Sequence, residues 1–424
     1  VEQDEEIRKA WDAYKSQQAS DTAQGICLVT GKKAPVARLH PNIKGLYGAQ
    51  SSGAALVAFN ALAYESYEHK QGDNAPVSEY AAFAYTTALN TLLASERNYL
   101  RIGEMTVVFW AEGADKDNED VFGDVFSSEN KIIEDTDLQG FFEKVRQGQA
   151  FSVKDYLVKP ENKFYILGLS PNAARISVRF FFVDTFGDFI KNYEQYFREF
   201  EIIKPSFDNR VNVPLWQILQ ETANKNSKDK AASPLLAGAV LRSILSGIKY
   251  PEALYQNTIL RAKADQDNPD KNITKISRIK AAIIKACLLR NYKNNEEVVT
   301  VALNEECKKV PYVLGRLFAV LEDLQEKANP GINSTIKDRY FNSACATPSV
   351  TFPLLTKLAN THLKKISAQR GTVIYFEKLI GELMNKLEVE NNAMPARLSL
   401  PEQGEFVLGY YHQVQKRFEK KEEK

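Results

Sequence analysis

The segment of this chain that comes nearest to a nucleotide-hydrolysing site runs from Gly48 to Ala55 (GAQSSGAA). Its two glycines have the spacing of a phosphate-binding loop. In such a loop, a lysine after the second glycine reaches the phosphates, and a serine or threonine then holds magnesium. Ala54 and Ala55 occupy these two positions. Because both reactive groups are missing, we do not expect nucleotide hydrolysis.

Patterns for metal binding and catalysis are likewise incomplete. A calcium-binding loop counted from Asp115 needs glycine at its sixth place and glutamate at its twelfth, where Asp120 and Phe126 stand. Cys27 and His40 fall short of the roughly four ligands of a zinc site. No His-x-x-His pattern joins the four histidines, which are His40, His69, His362 and His412. We therefore expect no metal, no cofactor and no catalytic residue, and keep an active site assembled from distant residues as an alternative.

Groups that suit nucleic acid are concentrated in residues 37–53, which combine cations, amides, hydroxyls and glycines. Phosphate contacts use such donors, and glycines let a backbone come close. Asn60, Tyr67, Gln71 and Asn74 continue the supply. Amides can read base edges and aromatic rings can stack on bases. The alternative is a glycine-rich loop whose polar groups only cap helices and complete turns, and composition alone does not separate the two.

A second basic feature lies in the back half. Lys271, Lys275, Arg278 and Lys285 recur at intervals that place them on one face of a helix. Such a stripe could follow a phosphate backbone, with a steep dependence on salt. Lys337 and Arg339 add donors further along the chain. The alternative is a solvated surface face without a partner.

Composition indicates a folded chain of two or three domains, because 44% of its 424 residues are hydrophobic and 26% are charged. The net charge of +1 conceals an uneven distribution: residues 231–424 hold 29 Lys and Arg against 21 Asp and Glu. Four widely separated cysteines favour buried free thiols in a reducing cytoplasm. No apolar run approaches the roughly 18 residues of a membrane helix, so we expect a soluble, cytoplasmic protein.

The front of the chain mixes strands and helices. Residues 25–30 and 105–110 read as strands, and a helix starts at Ser78. Residues 164–169 and 176–183 form a predicted β-hairpin, with its turn at Ser170-Pro171-Asn172. The acidic residues from about 114 to 137 are predicted to be a loop.

After about residue 205, strand-like runs give way to amphipathic helices with short connections, which favours a helical bundle. The clearest helix runs from Val310 to Asn329, and the last begins with Ser399 and Glu402 as a capping box. The prediction is an α+β fold: a mixed region at 1–205 that grips nucleic acid, and an all-α bundle at 206–424.

Nine strings, in order along nearly the whole chain, resemble the large subunit of the type I-C CRISPR Cascade surveillance complex. They are Cys27–Gly31 (CLVTG), Leu39–Gly45 (LHPNIKG), Gly48–Gly53 (GAQSSG), Gln71–Glu79 (QGDNAPVSE), Thr106–Ala111 (TVVFWA), Leu167–Arg175 (LGLSPNAAR), Pro234–Gly238 (PLLAG), Leu314–Phe318 (LGRLF) and Gly409–Gln413 (GYYHQ).

The resemblance implies a non-catalytic subunit of an RNA-guided DNA-targeting complex in antiviral defence. Such subunits support recognition of the protospacer-adjacent motif, opening of the duplex, stabilisation of the displaced strand within the R-loop, and recruitment of the helicase-nuclease, while guide pairing reads the sequence. The implied partners are the backbone subunits, small subunits, double-stranded target and displaced single strand. The helical bundle at 206–424 would resemble a small subunit.

On this basis, two sets of residues are hypothesised to contact DNA. The front set is Arg38, Lys44, Gln50, Ser51, Ser52, Gln71, Asn74 and Arg175. The back set, expected to neutralise backbone charge, is Lys275, Arg278, Lys285, Lys337 and Arg339.

Two departures from the family pattern matter. The family has a longer N-terminal region, and the first residues here, which lack Met and read as the middle of a helix, suggest that upstream sequence is missing. The family motif reads Leu-Val-Ser-Phe-Asn, whereas Leu56–Asn60 carries Ala58, so a hydroxyl contact is lost there. Two alternatives stay open: a purely structural scaffold subunit without direct DNA contact, and a metal-dependent nuclease.

Overall fold

The computed structural model describes residues 5–18, 23–126, 135–153, 156–208, 210, 212–226, 233–271, 273–293, 297–387 and 393–418. The chain divides into two compact units, residues 1–127 with 150–186 and residues 128–149 with 187–424. Strands and helices alternate at the front and helices follow, so the predicted α+β fold is confirmed. The domain limits 1–205 and 206–424 stay a prediction.

The elements up to residue 185 are α1 (Glu5–Gln18), β1 (Gln24–Ile26), β2 (Lys33–Pro35), α2 (Glu79–Ala94), β3 (Tyr99–Ile102), β4 (Met105–Ala111), α3 (Lys116–Phe126), α4 (Asp135–Gln147), β5 (Phe151–Val153), β6 (Tyr156–Val158), β7 (Lys163–Asn172) and β8 (Arg175–Thr185). The later elements are α5 (Phe186–Phe200), α6 (Leu215–Thr222), α7 (Pro234–Ser246), α8 (Glu252–Ala264), α9 (Arg278–Cys287), α10 (Val310–Ala328), α11 (Ile336–Ala346), α12 (Pro348–Lys365), α13 (Arg370–Asn385) and α14 (Leu400–Lys416).

A four-stranded antiparallel sheet in the order β3-β4-β7-β8 forms the centre of the first unit. Alternate residues of a strand face opposite sides, so Phe109 and Phe164 share one face. Their rings pack with Phe122 of α3, whose ring centroid lies 4.7 Å from that of Phe109 and 5.0 Å from that of Phe164. This aromatic layer fixes α3 against the sheet.

The predicted hairpin is confirmed, but its turn lies further along the chain. β7 continues to Asn172, which pairs with Arg175, so the connecting residues are Ala173 and Ala174. The predicted turn residue Pro171 instead lies in the ladder opposite Ile176. Ala173 takes the left-handed conformation with φ of 55°, which tight hairpin turns require. Arg175 therefore begins β8, paired with Asn172 across the turn.

The acidic segment predicted as a loop is largely helical, and that prediction is wrong for its described residues. α3 spans Lys116–Phe126 and α4 begins at Asp135, while residues 127–134 lie outside the described part. Val121, Phe122 and Val125 are buried at helical spacing. The acidic groups are paired: Glu119 accepts hydrogen bonds at 2.9 Å from Asn98 Nδ2 and at 3.1 Å from the backbone N of Ala111.

In the second unit, α10 and α14 pack with almost no space between their backbones. A Cβ atom on Gly315 would lie 2.0 Å from the carbonyl oxygen of Phe406, and one on Gly409 would lie 2.1 Å from that of Tyr312. Around this contact, rings of Phe318, Phe341, Phe406 and Tyr410 meet edge to face. The helix predicted from Val310 and the capping box of Ser399 and Glu402 are both confirmed.

Within the described ranges, no helix has both the length and the apolar character needed to cross a membrane. The four cysteines are free and buried, as predicted.

Candidate nucleic-acid interface

A cleft of about 250 Å³ in the first unit gathers four of the predicted contact residues: Arg38, Gln50, Ser52 and Arg175. Two backbone bridges build it, one joining Ile43 to Ala54 and one joining Ala55 to Arg175. Through these bridges, the polar loop of residues 48–53 lies between the start of β8 and residues 38–42. The wall also includes Ala58.

Glycine makes this loop geometry possible. Gly53 has φ of 89°, and a Cβ atom there would lie 2.8 Å from the carbonyl oxygen of Ile43. A Cβ atom on Gly72 would lie 2.0 Å from the carbonyl oxygen of Ala37. Both positions therefore require glycine, the first for its conformation and both for close backbone approach. The buried neighbours Ile43, Ala54 and Leu89 anchor the loop on α2.

Arg38 and Gln71 meet at the rim of the cleft. Arg38 Nη1 donates a hydrogen bond to Gln71 Oε1 at 2.9 Å, in an exposed position. The backbone N of Gly72 donates to the Arg38 carbonyl oxygen at 3.1 Å, which ties the two loops together. The amide orients the guanidinium and leaves its positive charge uncancelled.

Arg175 is oriented by two neighbours. Its Nη2 donates to Asn60 Oδ1 at 2.6 Å, and its guanidinium carbon lies 4.0 Å from the ring centroid of Tyr64. The second distance is typical of a cation–π contact. The sequence indicates Asn60 as an amide group that could contact nucleic acid, but it does not predict the pairing with Arg175 and gives no signal for Tyr64.

His40 also lines the cleft and was not predicted to do so. Its Nδ1 lies 2.7 Å from the Tyr85 hydroxyl, and its Nε2 has no hydrogen-bond partner among the described residues. Burial lowers the pKa of His40, so the ring is neutral at neutral pH. A neutral imidazole can either donate or accept a hydrogen bond at Nε2.

The other front candidates behave differently. Lys44 and Ser51 are exposed but do not line the cleft. The Asn74 amide is already used inside its loop: Nδ2 donates to the carbonyl oxygens of His69 and Gln71, and Oδ1 accepts from the backbone N of Ser66. Asn74 therefore shapes the loop that presents Gln71, and its predicted contact with DNA conflicts with this bonding.

The predicted basic stripe of the back half is wrong, because three of its members are interior. Lys275 is 1% exposed, Lys285 is 3% exposed and Arg278 is 7% exposed. Lys275 also precedes α9, which begins at Arg278. These side chains cannot reach a phosphate without leaving their present partners.

The reason is that these cations satisfy carbonyl groups at helix ends. Lys275 Nζ donates to the carbonyl oxygens of Lys263 and Asp265 at the end of α8, at 3.0 and 2.7 Å. Lys285 Nζ donates to those of Arg198 and Glu199 at the end of α5, at 3.3 and 3.1 Å. The last carbonyls of a helix have no partner within it. Burial lowers the pKa of Lys285 to about 8.

Arg278 and Lys337 are paired with carboxylates. Arg278 Nη1 lies 2.8 Å from Asp208 Oδ2, and Lys337 Nζ lies 2.6 Å from Asp267 Oδ2. Both cations line a second cleft, of about 910 Å³, in the second unit. Asp208, Glu221 and Asp267 also line it, so its charge is mixed. Of the five back candidates, Arg339 alone is exposed.

Within the described residues, no three His, Cys, Asp or Glu side chains are grouped so that they could hold a metal ion. His412 is interior, with Nδ1 2.9 Å from the Tyr312 hydroxyl, and burial lowers its pKa to about 3.

Comparison with known families gives the context for the first cleft. A family model described as CRISPR-associated protein (Cas_Csd1) matches residues 1–418 of the chain. The chain therefore belongs to this CRISPR-associated family, which is the large subunit of type I-C Cascade. As a Cascade subunit, it acts together with other components of that complex. A comparison with curated proteins found no match.

Proposed function

We propose that this large subunit grips target DNA through the cleft that holds Arg38 and Arg175, and that it performs no bond chemistry itself. The gripped DNA would be the duplex around the protospacer-adjacent motif, and the same subunit would help to open it, steady the displaced strand and recruit the helicase-nuclease. Membership of the Cascade large-subunit family supports this proposal.

The observation that carries the proposal is the kind of partner that each arginine has. Arg38 is oriented by the amide of Gln71, and Arg175 by the amide of Asn60 and the ring of Tyr64. No carboxylate pairs with either arginine among the described residues. By contrast, Arg278 is paired with Asp208. The cleft therefore keeps two oriented guanidinium groups whose charge is free to meet an anion.

Phosphate is the anion that suits this arrangement. A guanidinium offers five N–H donors in a planar fork that matches phosphate oxygens, and such charge-assisted hydrogen bonds are among the strongest in proteins. Gln50 and Ser52 add neutral polar side chains to the same wall. Contacts of this kind position a protein on DNA, while neutral groups can also meet base edges.

Binding of a duplex target by the assembled complex tests the proposal. Arg38→Gln and Arg175→Gln should each weaken binding severalfold, because each removes one phosphate contact and its counterion release. Arg370→Gln is the matched control, since Arg370 is exposed on α13 and lies outside the cleft. A scaffold subunit without DNA contact predicts that all three variants bind like the parent complex.

Incubation of the purified chain with DNA and magnesium, manganese or zinc tests the rival nuclease function. Our proposal expects no cleavage with any of these metals. Cleavage that depends on the added metal, and that is lost when the metal is chelated, would contradict the non-catalytic part of the proposal.

A further inference from the structure

Three aromatic rings lie nearly parallel across neighbouring strands of the main sheet. Trp110 of β4 is the register partner of Tyr165 of β7, and their ring centroids are 5.2 Å apart with planes 4° apart. The ring of Phe181 on β8 lies 6.1 Å from Trp110 at 25° and 6.5 Å from Tyr165 at 21°. We call these three side chains the aromatic platform.

The platform is partly open to solvent. Phe181 is 52% exposed and Val183 beside it is 50% exposed, while Trp110 and Tyr165 are half-buried. β8 is an edge strand of the sheet. Since Tyr165 pairs with both Trp110 and Val183, these three residues lie on the same face. The opposite face carries Phe109 and Phe164, which α3 covers.

Trp110 and Tyr165, at 4°, are closer to parallel than the rings of the covered face, although Trp110 also packs against the core around Val108. On the covered face, the ring planes lie at 23° for Phe109 and Phe164, 50° for Phe109 and Phe122, and 65° for Phe164 and Phe186. Parallel, offset rings instead present π-faces in one direction, which is the geometry on which a further flat ring can stack.

Two exposed cations lie on the strands of the platform, and one exposed acid, Glu112, follows Trp110 by two residues at the end of β4. Lys163 precedes Tyr165 by two residues on β7 and is exposed, so the alternation of the strand places it on the same face. Arg179 of β8 is also exposed and lies at a register shift, between the paired residues Val178 and Phe180. Asp184, the exposed acid of β8, pairs with Phe164 and belongs to the other face. Cations beside stacked rings complement a polyanion with flat bases better than an apolar protein surface.

We propose that the aromatic platform stacks on unpaired bases of a single DNA strand, with Lys163 and Arg179 beside its phosphates. This inference rests on the proposed function and adds a second contact surface to it. Stacking of this kind tolerates any sequence, because every base has a π-face. It therefore suits the strand that is displaced when the duplex opens.

The platform and the cleft are linked by one strand. Arg175 begins β8 and Phe181 follows six residues later, which is roughly 20 Å at about 3.4 Å per residue. Both belong to the first compact unit. A strand that leaves a duplex held at the cleft would thus meet the platform on the same rigid sheet.

Tryptophan fluorescence of the full chain provides the test. The chain has three tryptophans, so Trp11→Phe with Trp216→Phe leaves Trp110 as the only reporter. Oligothymidylate should quench Trp110 emission in a saturable way. Adding Phe181→Ala should weaken the apparent affinity by about tenfold, in line with the loss of one stacked base. Phe83→Ala is the control, because Phe83 is 59% exposed on α2 of the same unit.

Two results would overturn the inference: unchanged Trp110 emission at saturating oligothymidylate, or equal affinities of the Phe181→Ala and Phe83→Ala chains. If Phe181→Ala instead prevents assembly with the other Cascade subunits while oligothymidylate binds normally, the platform is a subunit interface and the inference is wrong.

The same variants separate this inference from the proposed function. Arg38→Gln and Arg175→Gln should weaken duplex binding by the complex, whether or not the platform stacks on bases. A loss of duplex binding with these arginine variants, together with normal oligothymidylate binding by Phe181→Ala, would leave the cleft in place and remove only the platform.

Discussion

Arg175 donates a hydrogen bond from Nη2 to the side-chain oxygen of Asn60, at 2.6 Å across a sequence separation of 115 residues. Because the partner is an amide, the contact orients the guanidinium without neutralising it. The same is true of Arg38 with Gln71. The cleft thus depends on the chemistry of its neutral partners as much as on its arginines.

Asn60→Asp tests this dependence on a neutral partner. The substitution keeps Arg175 and the shape of the loop but supplies a carboxylate that pairs with the guanidinium. We expect duplex binding by the complex to fall about as far as in Arg175→Gln, with no loss of thermal stability. Asn333→Asp, an exposed position in the second unit, makes the same change of charge elsewhere and should bind normally. Normal binding by Asn60→Asp would show that the charge of Arg175 is not used.

The buried lysines should matter for stability and not for DNA. Lys285→Met keeps the aliphatic stem but leaves the carbonyls of Arg198 and Glu199 without their donor, which should cost about 1–3 kcal/mol of unfolding free energy. The salt dependence of duplex binding should stay unchanged. A shallower salt dependence for a correctly folded Lys285→Met complex would contradict this prediction and indicate that Lys285 contacts DNA.

Contact between α10 and α14 should not tolerate a single added methyl group. Gly315→Ala or Gly409→Ala forces the two backbones apart and should cost about 1–3 kcal/mol or more, measured by urea unfolding. Gly371→Ala is the matched control, because a Cβ atom there would meet nothing within 4 Å. In α13 this change should be neutral or stabilising by about 0.5–1 kcal/mol. Equal stability of all three variants would contradict the packing described.

Glu405 gives the chain a pH-dependent stability that one substitution isolates. Burial, reinforced by nearby Glu402, raises the pKa of Glu405 from its ordinary value of 4.5 to about 7. Between these values the folded chain holds a proton that the unfolded chain has lost, so the contribution of Glu405 to stability falls as the pH rises through this interval. Glu405→Gln removes the titration.

The measurement is the unfolding free energy of parent and Glu405→Gln chains across that pH interval. The parent should lose stability relative to the variant as the pH rises. Subtraction of the two curves removes the opposite trend of His412, whose lowered pKa costs stability as the pH falls below its ordinary value of 6.5. Parallel curves would show that Glu405 does not carry the proton.

Local signals were sufficient for much of the fold. The capping serine of α2, the hairpin of β7 and β8 and the capping box of α14 all depend on residues close in sequence. The prediction of a loop for the acidic segment was wrong because its many charges concealed the helical spacing of the buried residues Val121, Phe122 and Val125.

The site was predicted less well, for a physical reason. Periodicity shows that Lys275, Arg278 and Lys285 recur at helical intervals, but it does not show whether their face meets solvent or the carbonyl ends of other helices. The pairing of Arg38 with Gln71 spans 33 residues, and that of Arg175 with Asn60 spans 115. Only the folded chain shows which cations keep their charge free.

The salt dependence of duplex binding by a complex with both Arg38→Gln and Arg175→Gln tests the central claim most directly. Each phosphate contact contributes about 0.9 to the slope of log affinity against log salt concentration. We predict that the double variant is shallower than the parent by about 2 in this slope, while Arg370→Gln matches the parent. A double variant with the parent's slope would contradict the claim that these two arginines hold DNA.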